Sequence, residues 1–171
     1  MRRSLLALCL AAAPLSGQQS RALIWVPGWI QKFPIEDVAI PFTLDAPQAK
    51  SYAAVKAAFA DLKIAMDVDD PENRVLGNQS LNAQVSFAGY RMSRVFDCGE
   101  RTNSGPNADS FRVSIVFLAL LDPVDSTHTK LRVGLAAGAI PATGTRSESV
   151  RCGSKGVIEE KLVTLASAHL K

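Results

Sequence analysis

Two cysteines constrain this chain more than any other feature. Cys98 closes the run Val95-Phe96-Asp97-Cys98-Gly99, and Cys152 sits in Val150-Arg151-Cys152-Gly153-Ser154-Lys155-Gly156, just ahead of a helical pattern opening at Ile158-Glu159. Each stands beside a glycine at the end of a strand-like segment. In an exported chain such a pair is expected to be bonded. The bond would tie the last helix to an earlier strand and enclose every strand between them. Closing a loop of about 55 residues contributes about 4 kcal/mol in the chain-entropy account. A redox-active pair would need C-x-x-C spacing at a helix start, which the sequence lacks.

Export is itself legible. Arg2 and Arg3 precede an apolar run from Leu5 to Leu15, and the small residues Ser16 and Gly17 come before Gln18. These are the three parts of a secretory signal, so residues 1–17 are expected to be removed. The run is too short for a membrane span, which needs about 20 apolar residues. Cys9 follows the bulky Leu8 after a very short apolar stretch, which argues against a lipid anchor at that position. Removing the two arginines of the signal brings the formal charge from +3 to +1. The remaining Lys and Arg are scattered singly, without the clustered basic and aromatic residues of a nucleic-acid surface. The expected location is the periplasm or envelope of a bacterium.

Residues 18–41 read as an extended aromatic arm. Both tryptophans of the chain, Trp25 and Trp29, flank Pro27-Gly28, a pair that interrupts any helix, with Leu23, Ile24, Ile30 and Phe33 around them. Such an arm docks on a partner protein or lies at a bilayer surface, or it folds back over the domain's own core. The sequence leaves these readings open.

The domain proper is expected over 42–171. Phe42-Thr43-Leu44 is strand-like, Asp45 stands where a helix cap would, and Tyr52, Val55, Phe59 and Leu62 line one stripe of a helix over 46–62. Ile64, Met66 and Val68 alternate ahead of the turn Asp70-Pro71-Glu72-Asn73, predicting a small hairpin with Arg74–Gly77. Val85, Phe87, Met92 and Phe96 predict a strand over 83–98, with a bulge or bend at Gly89. A polar loop over 99–109 leads to a strand over Phe111–Leu121, and Leu131–Ile140 should return antiparallel to it. After a loop over 141–149, Ser154 is placed to cap a helix bearing Ile158, Leu162, Leu165 and His169 on one face. Two helices on one face of a three-stranded antiparallel meander, with the small hairpin, make an α+β two-layer sandwich.

Catalytic patterns are thin. His128 and His169 are the two histidines, too few for a zinc site without paired cysteines. No G-x-S-x-G elbow accompanies His128, so a Ser-His-Asp triad has no local signature. The acids Asp67, Asp69, Asp70 and Glu72 crowd one turn but lack the calcium-loop pattern, and read as a solvated turn. Gly153-Ser154-Lys155-Gly156 reads as a helix entry rather than an anion cradle. Asn78-Gln79-Ser80 matches a glycosylation sequon, relevant only in a eukaryotic secretory pathway.

Taken together, Leu44-Asp45-Ala46-Pro47, Asp97-Cys98-Gly99 and the Val150–Gly156 segment running into Ile158-Glu159 resemble a group of bacterial secreted proteins. The αβββα order over about 42–171 is similar to the repeated domain of the BamC-type outer-membrane assembly lipoproteins. The resemblance implies a non-enzymatic envelope domain that works by contact with other proteins, without cofactor or metal. The chain departs from that pattern in having one such domain. The expected function is therefore an exported accessory or scaffolding subunit. Its partner would be an envelope or membrane protein complex or the membrane surface, met through Leu23, Ile24, Trp25, Trp29, Ile30 and Phe33. The alternative is a periplasmic carrier holding a small apolar ligand or lipid against the meander, and a hydrolase stands third.

Overall fold

The run Ile115-Val116-Phe117-Leu118-Ala119-Leu120-Leu121 has no polar residue on either side of its alternation. A strand with one wet face alternates, whereas one covered on both faces reads as continuous apolar sequence. The computed structural model describes residues 19–101, 105–141 and 149–171, and in it this strand is buried on both faces. The expected signal segment with Cys9, together with residues 18, 102–104 and 142–148, lies outside the described residues.

In chain order the elements are β1 (Leu23–Ile24), β2 (Phe33–Pro34), a 3-10 turn (Ile35–Val38), β3 (Ala39–Leu44), α1 (Gln48–Asp61), β4 (Val68–Asp70) and β5 (Val75–Ala83). Then come β6 (Ser86–Phe87), β7 (Tyr90–Arg91), the single turn α2 (Met92–Val95), β8 (Phe96–Asp97), β9 (Glu100–Arg101) and β10 (Gly105–Pro106). The turn α3 (Asn107–Ser110), β11 (Phe111–Pro123), β12 (Thr129–Pro141), β13 (Val150–Ser154) and α4 (Val157–Ala168) complete it. The main sheet is antiparallel in the order β4-β5-β11-β12-β13-β8. β12 shares its outer edge between two strands, β3 beside Thr129–Gly134 and β13 beside Ala137–Ala139.

This is an α+β sandwich, as the sequence predicts. Odd-numbered residues of β11 (Val113, Ile115, Phe117, Ala119, Leu121) and of β12 (Leu131, Val133, Leu135, Ala137, Ala139) face α1 and α4. From the helices Val55, Phe59, Ile158 and Leu162 fill the space opposite, each fully buried. The Phe59 ring lies tilted against Phe117 at 4.9 Å, and Phe87 lies 6.3 Å from both Phe96 and Phe117. Tilted and edge-on rings at these distances add to the burial of apolar area.

Three expectations change. The first strand of the meander is β5, not residues 83–98. Phe87 and Met92, both buried, are five apart, an odd spacing that an uninterrupted strand cannot place on one face. The chain instead makes the tight hairpin β6–β7, with positive φ at Ala88 and Gly89, then α2 and β8; Val85 is left exposed. Second, Asp45 does not cap α1. Its carboxylate is in solvent, and the helix starts after Pro47, where Ser51 Oγ and Thr129 Oγ1 donate to the Ala46 carbonyl at 3.2 and 2.8 Å.

Third, the segment before β3 is a layer of the fold rather than an arm ahead of it. Even-numbered residues of β11 and β12 (Val116, Leu118, Leu120, Ala136) form a second core on the far side of the sheet with Ile24, Val26, Phe33 and Ile35. Two glycines of β12 allow the close approach: a Cβ at Gly134 would lie 2.3 Å from Ile35 Cγ1, and one at Gly138 1.6 Å from the Pro27 carbonyl oxygen. The expected two layers are thus joined by a third, the β1–β2 hairpin and its 3-10 turn.

Candidate functional site

The hairpin of residues 19–34 sorts its side chains by parity. Ala22, Ile24 and Val26 turn toward the sheet, while Arg21, Leu23 and Trp25 turn away. On the return strand Phe33 is buried between exposed Lys32 and Pro34. The pairing of Ile24 with Phe33 and of Leu23 with Pro34 sets this alternation. Of the six expected contact residues, Ile24 and Phe33 therefore belong to the core, at 3% and 8% exposure. Leu23, Trp25 and Ile30 remain as the outward set, at 68%, 52% and 104%.

Trp29 joins the two groups. It stacks on Phe33 with ring centroids 3.8 Å apart, and its Nε1 donates to the Ala137 carbonyl at 3.1 Å. The Arg151 guanidinium lies over its ring at 3.6 Å, and Trp25 Nε1 donates to its carbonyl at 3.2 Å. The turn closes on Val26, whose carbonyl accepts the Trp29 N–H. Open depressions of about 490 and 370 Å³ flank the loop, one lined by Trp29, Ile30, Phe33 and Arg151, the other by Trp25, Pro27, Ser114 and Ile140.

A buried ionic cluster anchors the hairpin's other end. Arg132 lies on the hairpin side of β12 and is almost wholly buried. Its Nη2 donates at 2.7 Å to both Asp122 Oδ2 and the Ser20 carbonyl, while the Ser20 N–H donates to Asp122 Oδ1 at 2.9 Å. Glu36 of the 3-10 turn stands 4.0 Å from Arg132 Nη1. Nothing in the local sequence marks these residues, because their partners are 10 to 112 positions away. Arg132, the one charged residue in the run from Leu131 to Pro141, was the available signal.

The remaining motifs are occupied by structure. Cys98 and Cys152 are bonded directly across the β8–β13 ladder, with Cα atoms 4.2 Å apart. At the entry to α4, Lys155 gives its N–H to the Val95 carbonyl and its Nζ to the Ser93 carbonyl. Ser154 Oγ accepts from the Gly156 N–H and donates at 2.6 Å to the buried Glu159 Oε1. Burial raises the Glu159 pKa, outweighing the opposing hydrogen bonds from Ser154 and the backbone.

The acidic turn is likewise spent. Asp67 accepts from Gln79 N–H and Ser80 Oγ, Asp69 from Tyr52 and Lys56, and Asp70 from Asn73. The Tyr52 phenol is raised by burial and then by Asp69 beside it. Asn78 is buried with its amide donating to the Ala65 carbonyl at 2.7 Å, so a glycan there would displace that hydrogen bond. His128 pairs with Asp125 at 2.8 Å in an exposed turn. There the Thr127 N–H and hydroxyl, then His128, hold the carboxylate well below its usual range. His169 reaches Asp61 at 2.7 Å and links the C-terminal ends of α4 and α1. Among the described residues no group of three His, Cys, Asp or Glu is placed to hold a metal ion, and no helix is long and apolar enough to cross a membrane.

The fold and this surface define a disulfide-linked α+β sandwich that presents an apolar hairpin. Comparison with protein-family models, curated proteins and solved structures finds no match to the chain.

Proposed function

We propose that the chain is an exported, non-enzymatic domain that docks on another envelope component as an accessory or scaffolding subunit of a membrane-associated assembly. The observation carrying this reading is the outward set Leu23, Trp25 and Ile30 on a hairpin clamped at both ends. Single exposed apolar residues are ordinary, but three on the outer face of one hairpin, with a tryptophan among them, are the composition of a contact surface. Because Arg132, Gly138 and Trp29 already fix the hairpin, docking would cost little ordering entropy. The disulfide fits an oxidising compartment and so supports export. Filling of the sheet–helix space by Phe59, Phe87, Phe96 and Phe117 favours docking over an apolar ligand carried there.

The test is recovery of a defined envelope component, native membranes included, by the exported protein without detergent, compared with Trp25→Ala and Ile30→Ser. Loss of that component with both variants, their folds unchanged, is the expected result. Equal recovery by all three would place the contact elsewhere.

A further inference from the structure

The outward face of the hairpin carries charge as well as apolar area. Arg21, Leu23 and Trp25 alternate along one arm of the hairpin, Ile30 stands at the tip, and Lys32 lies on the returning arm, all exposed. Arg151, also exposed, adds a third cation where it lies over Trp29. Residues 19–35 contain no Asp or Glu. The first acid after them, Glu36, turns inward toward Arg132, and Glu72 lines a depression with Arg21 at the end of the hairpin away from the tip. An apolar tip with Lys32 and Arg151 near it, Arg21 farther back on the same face and tryptophan at its shoulder, is complementary to a bilayer whose headgroups are anionic and whose acyl boundary accepts the tip.

Resting on the docking reading above, we infer that the component this hairpin meets is the anionic surface of a lipid bilayer. Ile30 and Trp25 enter the headgroup–acyl boundary, and Arg21, Lys32 and Arg151 lie at the level of the phosphates. A protein partner would be expected to offer a pocket for a fully projecting isoleucine and its own acids for the cations. The bilayer supplies both without a shaped site.

The experiment uses protein recovered after export of the full chain and two vesicle types, phosphatidylcholine alone and phosphatidylcholine with phosphatidylglycerol. Flotation measures binding. Tryptophan emission measures insertion directly, because both tryptophans of the chain lie in the hairpin. The expected result is partitioning onto the mixed vesicles with a blue shift, weakened by added salt. Arg21→Gln and Lys32→Gln should each reduce binding about fivefold. Ile30→Ser should reduce it roughly tenfold or more. Val124→Ser, an exposed apolar residue outside the hairpin, should leave it unchanged.

Failure of the wild type to bind mixed vesicles, or binding that these hairpin changes do not move, overturns the lipid inference. If vesicles fail but the envelope component is still recovered through Trp25 and Ile30, a protein partner takes the bilayer's place and docking stands. If both fail, the docking reading falls as well.

Discussion

Glu159 is fully buried in the first turn of α4, where the helix dipole and the Ser154 hydroxyl favour its charge and desolvation opposes it. Desolvation wins, so the folded protein holds this proton more tightly than the unfolded chain, whose glutamates titrate near ~4.3. The stabilisation linked to that proton is complete below the ordinary carboxylate range and is lost as pH rises through the raised, folded value. Glu159→Gln keeps an acceptor for Ser154 and removes the titration. Thermal midpoints measured from mildly acidic to neutral pH should therefore show the variant gaining on the wild type as pH rises; parallel profiles would mean the buried carboxyl does not titrate differently on folding. The sequence pointed to Ser154 as the cap of this helix, but Gly156 holds the cap position, no side chain caps α4, and the Ser154 hydroxyl instead meets the Gly156 N–H and Glu159. Nothing in the sequence warned that Glu159 faces inward, since a glutamate in a first helical turn normally meets solvent. Asp45 failed as a cap because the helix starts further on, with Pro47 at the cap position, which leaves the Asp45 carboxylate in solvent and out of the first turn.

The hairpin layer was the element hardest to read, although its imprint was in the strands it covers. A continuous apolar run over 115–121 signals two buried faces, and Gly134 and Gly138 recur at even positions of β12, where a layer must come close. The candidate residues Ile24 and Phe33 looked like contact residues because their covering partners lie a hundred positions downstream. Helix α1 was legible because its stripe is local, whereas β6 and β7 were not, because a tight turn resets the alternation. Gly138→Ala should push the Pro27 carbonyl away and cost about 1–3 kcal/mol, as overpacking does. Native-state tryptophan emission should shift red, since the hairpin lifts before the helix-side core melts; destabilisation with unchanged emission would show the clash absorbed in the sheet. The two tryptophans should also separate. Trp25→Ala leaves stability within about 1 kcal/mol, because that side chain is half in water, whereas Trp29→Ala loses the Phe33 stack, the Arg151 contact and the bond to Ala137 and costs about 2–3 kcal/mol. Chemical unfolding curves of the two variants decide it.

At the scale of the whole molecule, the bond between Cys98 and Cys152 closes the chain around β11 and β12, the two strands on which both cores are built. Its pairing was readable because the chain offers just two cysteines once Cys9 is set aside. The strand order around it was not, since neither local pattern nor spacing says that β3 and β13 divide one edge of β12. Reduction opens a loop with a sequence separation of 54. The chain-entropy account sets the loss at about 4 kcal/mol, a large share of the roughly 5–15 kcal/mol that holds a domain together. The β8–β13 ladder is only two residue pairs long, so it offers little to hold that edge once the sulfurs part. Urea unfolding with and without reductant should show the midpoint fall by the equivalent of that loss. Hydrogen exchange in the reduced protein should quicken first at residues 96–98 and 150–154, then in α4, which β13 leads into. A loss far below about 4 kcal/mol would mean that the reduced, unfolded chain keeps these two segments close. The constraint would then belong as much to the apolar β11–β12 pair as to the covalent bond.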